Sequence, residues 1–370
     1  MGLPMTEQSA PALKEIFNAE RLQHIATEMS AVYPAFDAKG FLAHAKAGLA
    51  ELSVMQRVAR VSESLHAVIA LDYAQTLTLL YALAPRLNSA FVSLCLPHYV
   101  ASYGQGDFTR SMAALKYFTT FGSAEFAIRP FLLHDLKRTL AVLQTWSLDA
   151  NEHVRRLASE GSRPRLPWSF RLAEVQANPA LCAPILDNLK ADSSLYVRKS
   201  VANHLNDITK DHPEWVLRLI EGWNLDNPHT AWIARHALRS LIKQGNTRAL
   251  TIIGAGAKAE VRIHRLAVTP AVINLGERIS LSFSLESTAT TAQKLVVDYA
   301  IDYVKSAGHR AAKVFKLKAF TLGAGEHQSI RREQHIRQLT TRKHYPGKHW
   351  VHVLVNGEKL ASAEFELRNA

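Results

Sequence analysis

The chain has 370 residues, 48% of them hydrophobic, and 44 Lys and Arg set against 32 Asp and Glu, for a net charge of +12. This composition excludes a disordered chain and can fill sizeable cores, and the length suggests two domains. The basic balance favours a polyanionic partner, because phosphate contacts release counterions, and no apolar run is long enough to cross a bilayer.

The N-terminal stretch MGLPMTEQSAPALKEIF has no basic start followed by an apolar segment, so it does not read as a secretory signal. Helical periodicity begins near residue 12 and continues through segments around 12–30, 36–51, 55–72, 74–86, 89–104 and 108–119. Cys95 and Cys182 are far apart and lack CxxC spacing, and the 17 histidines form no HExxH motif. No disulfide scaffold, metal or other cofactor is therefore expected, and a reducing cytoplasm suits the chain.

A repeat follows. DANEHVRRLASEG (149–161), DSSLYVRKSVANHL (192–205) and NPHTAWIARHALRSL (227–241) each open on Asp or Asn, the residue types expected to cap a helix. Each then places a β-branched residue (Val154, Val197, Ile233) with Arg or Lys just beyond it. An amphipathic segment precedes each: PFLLHDLKRTLAVLQTW, NPALCAPILDNLK and HPEWVLRLIEGW. The offsets of about 43 and 36 residues are those of HEAT-like helical pairs, which must stack into a solenoid to bury their apolar faces. An irregular helical domain with chance similarity is the alternative. Stacking would align Arg155, Arg156, Arg198, Lys199, Arg235 and Arg239 as a basic stripe facing a phosphate backbone. Separately solvated charges are the plainer reading of each.

Between two repeats lies SRPRLPW (162–168), where two prolines stiffen a connection that presents Arg163, Arg165 and Trp168. A loop whose tryptophan merely caps the core is the bland alternative.

After residue 254 the pattern changes to alternation. VRIHRLAV, ISLSFSLE, KLVVDYAIDYV, AKVFKLKAF, HWVHVLVN and SAEFELR are separated by turns such as NLGE, SAGHR, GAGEH, YPGKH and NGEK. This predicts an immunoglobulin-like β-sandwich of roughly 110 residues. The expected fold is thus mainly α: a HEAT-like α-solenoid over 1–254, followed by a β-sandwich over 255–370. Basic turns in the second part are RKHYPGK, which carries Arg342 and Lys343, together with RREQHIR and KSAGHR. They read equally as DNA contacts or as ordinary exposed loops.

The runs VRRLASEGSRPRLPW and VRKSVANHLNDITKDHP, with the earlier GSAEFAIRPFL, resemble the AlkC branch of the HEAT-like alkylpurine DNA glycosylases. The likeness covers nearly the whole chain, including the Ig-like part that one AlkC subgroup shares and AlkD proteins lack. The resemblance implies hydrolysis of the N-glycosidic bond to 3-methyladenine and 3-methylcytosine in double-stranded DNA, without swinging the nucleotide into a tight pocket. It also implies a monomer. An N3-alkylated base already carries positive charge and leaves readily, so the protein must stabilise the sugar cation and align water. Carboxylates serve both ends, and an indole face adds cation–π attraction.

On this resemblance the catalytic residues are Glu125, Glu160, Trp168 and Asp207, and the DNA contacts are Arg156, Arg163, Arg165, Arg198, Lys199, Arg235, Arg342 and Lys343. The plainer readings pair Glu160 with Arg156, Asp207 with Lys210, and Glu125 with Arg129. A protein-binding helical scaffold, or a binder of damaged DNA without catalysis, are the competing functions.

Overall fold

The computed structural model describes residues 13–256, 258–339 and 342–368. Residues 1–12, which hold most of the stretch read against a secretory signal and the start of the first expected helix, lie outside the described residues. The chain forms two compact units, Met1–Ile208 and Thr209–Ala370.

In the first unit, helices begin where short polar side chains precede apolar-periodic runs. Asn18, Asp37, Asp72, Asp107, Asp135 and Asn151 accept first-turn N–H groups of the helices Ala19–Val32, Ala38–Lys46, Tyr73–Leu83, Phe108–Phe118, Leu136–Trp146 and Glu152–Gly161. Each cap is worth about 1 kcal/mol, because it satisfies a donor the helix cannot. The repeat has its own turn chemistry. Asp149 Oδ1 accepts from Asn151 N, and Asp192 Oδ1 from Ser194 N, both at 2.8 Å. These aspartates were expected to be the caps; the structure makes them Asx turns, with Asn151, two residues after Asp149, capping the Glu152–Gly161 helix. The Glu152–Gly161 and Leu195–Ile208 helices pack together and bury Val154, Leu157, Val197, Val201 and Leu205. Each such side chain contributes about 1.5–3 kcal/mol, which a single unstacked pair does not gain.

The second unit opens with the helices Pro213–Glu221, Pro228–Ala237, Arg239–Lys243 and Thr247–Ile252. Proline starts two of them, where its missing N–H costs nothing. The strands are β1 (Val261–Thr269), β2 (Val272–Asn274), β3 (Arg278–Ser287), β4 (Gln293–Val304), β5 (Arg310–Leu322), β6 (His327–His335), β7 (Gly347–Val355) and β8 (Glu358–Arg368). One sheet has the order β1-β3-β6, the other β2-β8-β7-β4-β5. Strict alternation on β3 buries Ile279, Leu281, Phe283 and Leu285 in one core with Val297, Tyr299 and Ile301 of β4 and Val351 and Val353 of β7.

The six alternating segments became β1, β3, β4, β5, β7 and β8. The segment RREQHIR, read as a basic turn, lies mostly in β6, with Arg331 and Arg332 opposite Ser282 and Leu281. Ile330 is the one apolar residue of that strand, so alternation could not announce it.

Helix gives way to strand between Ile252 and Val261, yet the last helices belong to the same compact unit as the sandwich. Val296 and Asp298, pointing away from the sandwich core, are both buried, and Ile242 and Ile253 line a cavity with Val296. A Cβ on Gly357, where φ is +80°, would fall 2.3 Å from Gly245 Cα, so hairpin and helix end meet backbone to backbone.

Candidate active site

Three carboxylates from three parts of the first unit are tied together by two arginines. Glu125 lies in the 122–128 loop before the Arg129–His134 helix, Glu160 in the last turn of Glu152–Gly161, and Asp207 in the last turn of Leu195–Ile208. Arg156 Nη1 donates to Glu125 Oε2 at 2.9 Å and to Ser123 Oγ at 2.6 Å, and its Nη2 lies 3.6 Å from Glu160 Oε1. Arg163 Nη1 donates to Glu160 Oε1 at 2.6 Å, while its Nε and Nη2 reach Asp207 Oδ2 at 2.9 and 2.8 Å. Ser200 Oγ donates to Glu160 Oε2 at 2.6 Å.

Glu125, Glu160 and Asp207 are 8%, 6% and 5% exposed, so each keeps only an edge in solvent. Burial works to lower the Arg156 pKa, but the Glu125 and Glu160 carboxylates outweigh it and hold the guanidinium above its ordinary value. The three acids take partners beyond those that local spacing offered. Glu125 pairs with Arg156 rather than Arg129, Asp207 pairs with Arg163, and for Glu160 the Arg163 contact is shorter than the expected Arg156 contact.

Several members of the site escaped the sequence reading. Tyr196 is 39% exposed, with the Arg156 guanidinium 5.1 Å from its ring centroid and His153 against its edge. Ser200 and His204 are both buried, one repeat (about 43 residues) after Leu157 and Gly161. A polar side chain where the period demands an apolar one was the available signal. His204 Nδ1 donates to Ser159 O at 3.0 Å, and burial, then Arg163, pushes its pKa down to about 3, leaving it neutral.

The arginine loop follows Glu160 directly. Trp168 is 68% exposed and has φ +64°, a backbone conformation that costs an L residue about 1 kcal/mol or more. Arg163 was expected to reach outward to phosphate; it is buried on Glu160 and Asp207.

Arg198 is also buried, and the repeat explains why. Its Nη1 donates to Asp192 O and Ser193 O at 2.8 and 2.7 Å, as Arg155 Nη1 does to Asp149 O and Ala150 O at 2.9 and 2.8 Å. These equivalent arginines close the inter-helical turns instead of facing outward together, and Arg155 also pairs with Asp192 of the next repeat. Arg165 is half-buried and Lys199 exposed in the first unit. Arg235 and Lys343 are exposed in the second unit, where the Arg342 guanidinium lies 5.2 Å from the Tyr303 ring. An apolar cavity of about 210 Å³ is lined by Met55, Pro97, Ser123 and Phe126 but by none of the three carboxylates.

A family described as "DNA alkylation repair enzyme" matches residues 111–241, and one described as "Uncharacterised protein YhaZ, C-terminal Ig-like domain" matches residues 262–369. The uncharacterized protein YhaZ of Bacillus subtilis (strain 168) is 41% identical over 356 residues, covering 96% of this chain and 99% of that protein. A solved structure of Pseudomonas fluorescens alkylpurine DNA glycosylase AlkC, bound to DNA containing an abasic site analog, is 87% identical with a TM-score of 0.94. That match covers 97% of this chain and all of the other.

Proposed function

The chain belongs to the AlkC alkylpurine DNA glycosylases, and from that premise we propose that it releases 3-methyladenine and 3-methylcytosine from duplex DNA by a dissociative hydrolysis run on carboxylates. The observation that carries this reading is the linkage of Glu125, Glu160 and Asp207 through Arg156 and Arg163. In the reaction the C1′–N bond breaks, and its electron pair leaves with the cationic base, which departs neutral. The carboxylates stabilise the cation left on the sugar, water adds to C1′, and one carboxylate takes the proton. The arginines hold the acids in place. Trp168 supplies a π face to the sugar cation from the solvent side of the loop.

No general acid is required, because the leaving group arrives charged. The base therefore need not be buried to be activated, and excision proceeds without a tight base pocket. Residues 1–254 serve DNA binding and catalysis in this reading, with 255–370 as an Ig-like companion, and the protein works as a monomer.

Glu160→Gln tests the chemistry, because it keeps the shape and removes the charge. Methylated duplex DNA is incubated with the protein and free bases are separated by chromatography. The wild type should release 3-methyladenine and 3-methylcytosine with little 7-methylguanine. The variant should lose roughly 100-fold or more in rate with DNA affinity nearly intact. Full activity in Glu160→Gln refutes the assignment.

A further inference from the structure

We propose that Arg129 is a positioning residue for base excision: it clamps both ends of the 162–170 loop, so that Arg163 and Trp168 are presented at fixed places. The inference rests on the roles given above to Glu160, Asp207 and Trp168. Arg129 is 0% exposed and is the largest of the fully buried side chains. Its Nη1 donates to Gly161 O at 3.0 Å and to Arg163 O at 2.8 Å, and its Nη2 donates to Phe170 O. The guanidinium also lies 5.1 Å from the Phe170 ring centroid. All three accepting carbonyls thus belong to a segment at least 32 residues away in sequence.

The loop needs an outside donor. Pro164 and Pro167 have no N–H, and the loop's own backbone bonds include the long Ser169 N to Leu166 O (3.3 Å) and Leu172 N to Pro164 O (3.2 Å). A planar fork of donors spans carbonyls at two ends of a loop, which a single ammonium cannot. Burying a charge for packing alone is expensive, since an apolar side chain of that volume would serve. Burial and then Arg163 pull Arg129 down to about 10, against the favourable Asp207, and it stays charged at neutral pH. The clamp acts through two links. The Arg163 carbonyl is fixed by Arg129, and the Arg163 guanidinium fixes Glu160 and Asp207.

The test is single-turnover base release from methylated duplex, alongside affinity for duplex carrying an abasic-site analogue and the melting temperature. Arg129→Ala should slow release about 100-fold, the scale set by misplacing a reacting group by about an ångström, with affinity held within about threefold. Millimolar guanidinium should restore about tenfold of that rate and methylammonium should not, since only the planar fork reaches both ends. Release within about threefold of wild type overturns the proposal, as does a parallel loss of rate, affinity and melting temperature without guanidinium rescue. If Arg129→Ala does not fold, Arg129→Lys carries the same decision. Slow release at unchanged affinity supports the clamp, and unchanged release or a parallel loss of both overturns it. Glu160→Gln in the same assay separates the two claims. Full activity there sinks the site assignment, whereas an inactive Glu160→Gln beside an active Arg129 variant sinks only the clamp.

Discussion

Replacing Arg163 with leucine decides whether this arginine grips DNA or holds the acids. The side chains of Arg163, Glu160 and Asp207 are 8%, 9% and 7% exposed, so their pairing is screened little by solvent. In Arg163→Leu, Glu160 retains Ser200 at 2.6 Å and Arg156 at 3.6 Å, while Asp207 loses both contacts from Arg163. Removing one partner of a buried ion pair costs about 3–5 kcal/mol, because the remaining charge stays out of water with its contacts to that partner gone. For a unit of this size each kcal/mol lowers the melting temperature by about 2–4 °C, so a drop of roughly 6–20 °C is expected.

The assay is thermal unfolding of the DNA-free protein, with Arg163→Leu/Asp207→Leu as the second arm of a double-mutant cycle. The double variant should recover part of the loss, since it leaves less uncompensated charge. A phosphate-gripping arginine behaves differently. Its removal leaves stability within about 0.5 kcal/mol and reduces the salt slope of DNA binding by about 1. That second pattern would refute the reasoning.

Trp168→Gly should relieve the positive φ and raise stability by about 1 kcal/mol, since little packing is lost at 68% exposure, while base release falls. Calorimetry and the release assay check the two halves, and equal or lower stability counts against the strain. His204 titrates near 3 in the folded protein and near its ordinary 6.5 once unfolded. The unfolded chain therefore binds a proton first as pH falls, and stability drops between about pH 6.5 and 3 by about 1.4 kcal/mol per unit from this group. His204→Gln should flatten that part of the stability–pH curve, and an unchanged slope would contradict the burial argument.

Periodicity alone determined the two-part architecture. Helical spacing and polar caps marked the stacked helices, and strict alternation with glycine turns marked the sandwich, because both signals are written over four to ten neighbouring residues. Glu125, Glu160, Asp207 and Trp168 were singled out not by periodicity but through the likeness of SEGSRPRLPW and its neighbours to a known family.

Only the tertiary structure decided who partners whom. Local spacing offered Arg129 as a plain partner for Glu125, and the family likeness set Arg163 toward phosphate, whereas stacking joins residues more than 30 positions apart and turns Arg163 inward onto two acids. Arg129 reads in sequence as one more basic residue beside a proline, and it becomes a buried fork on three carbonyls only once the arginine loop folds across it. Strand β6 and the grouping of the last helices with the sandwich were hidden for the same reason. Long-range packing leaves no period in the chain, since a contact across a fold constrains two distant residues and says nothing about those between them.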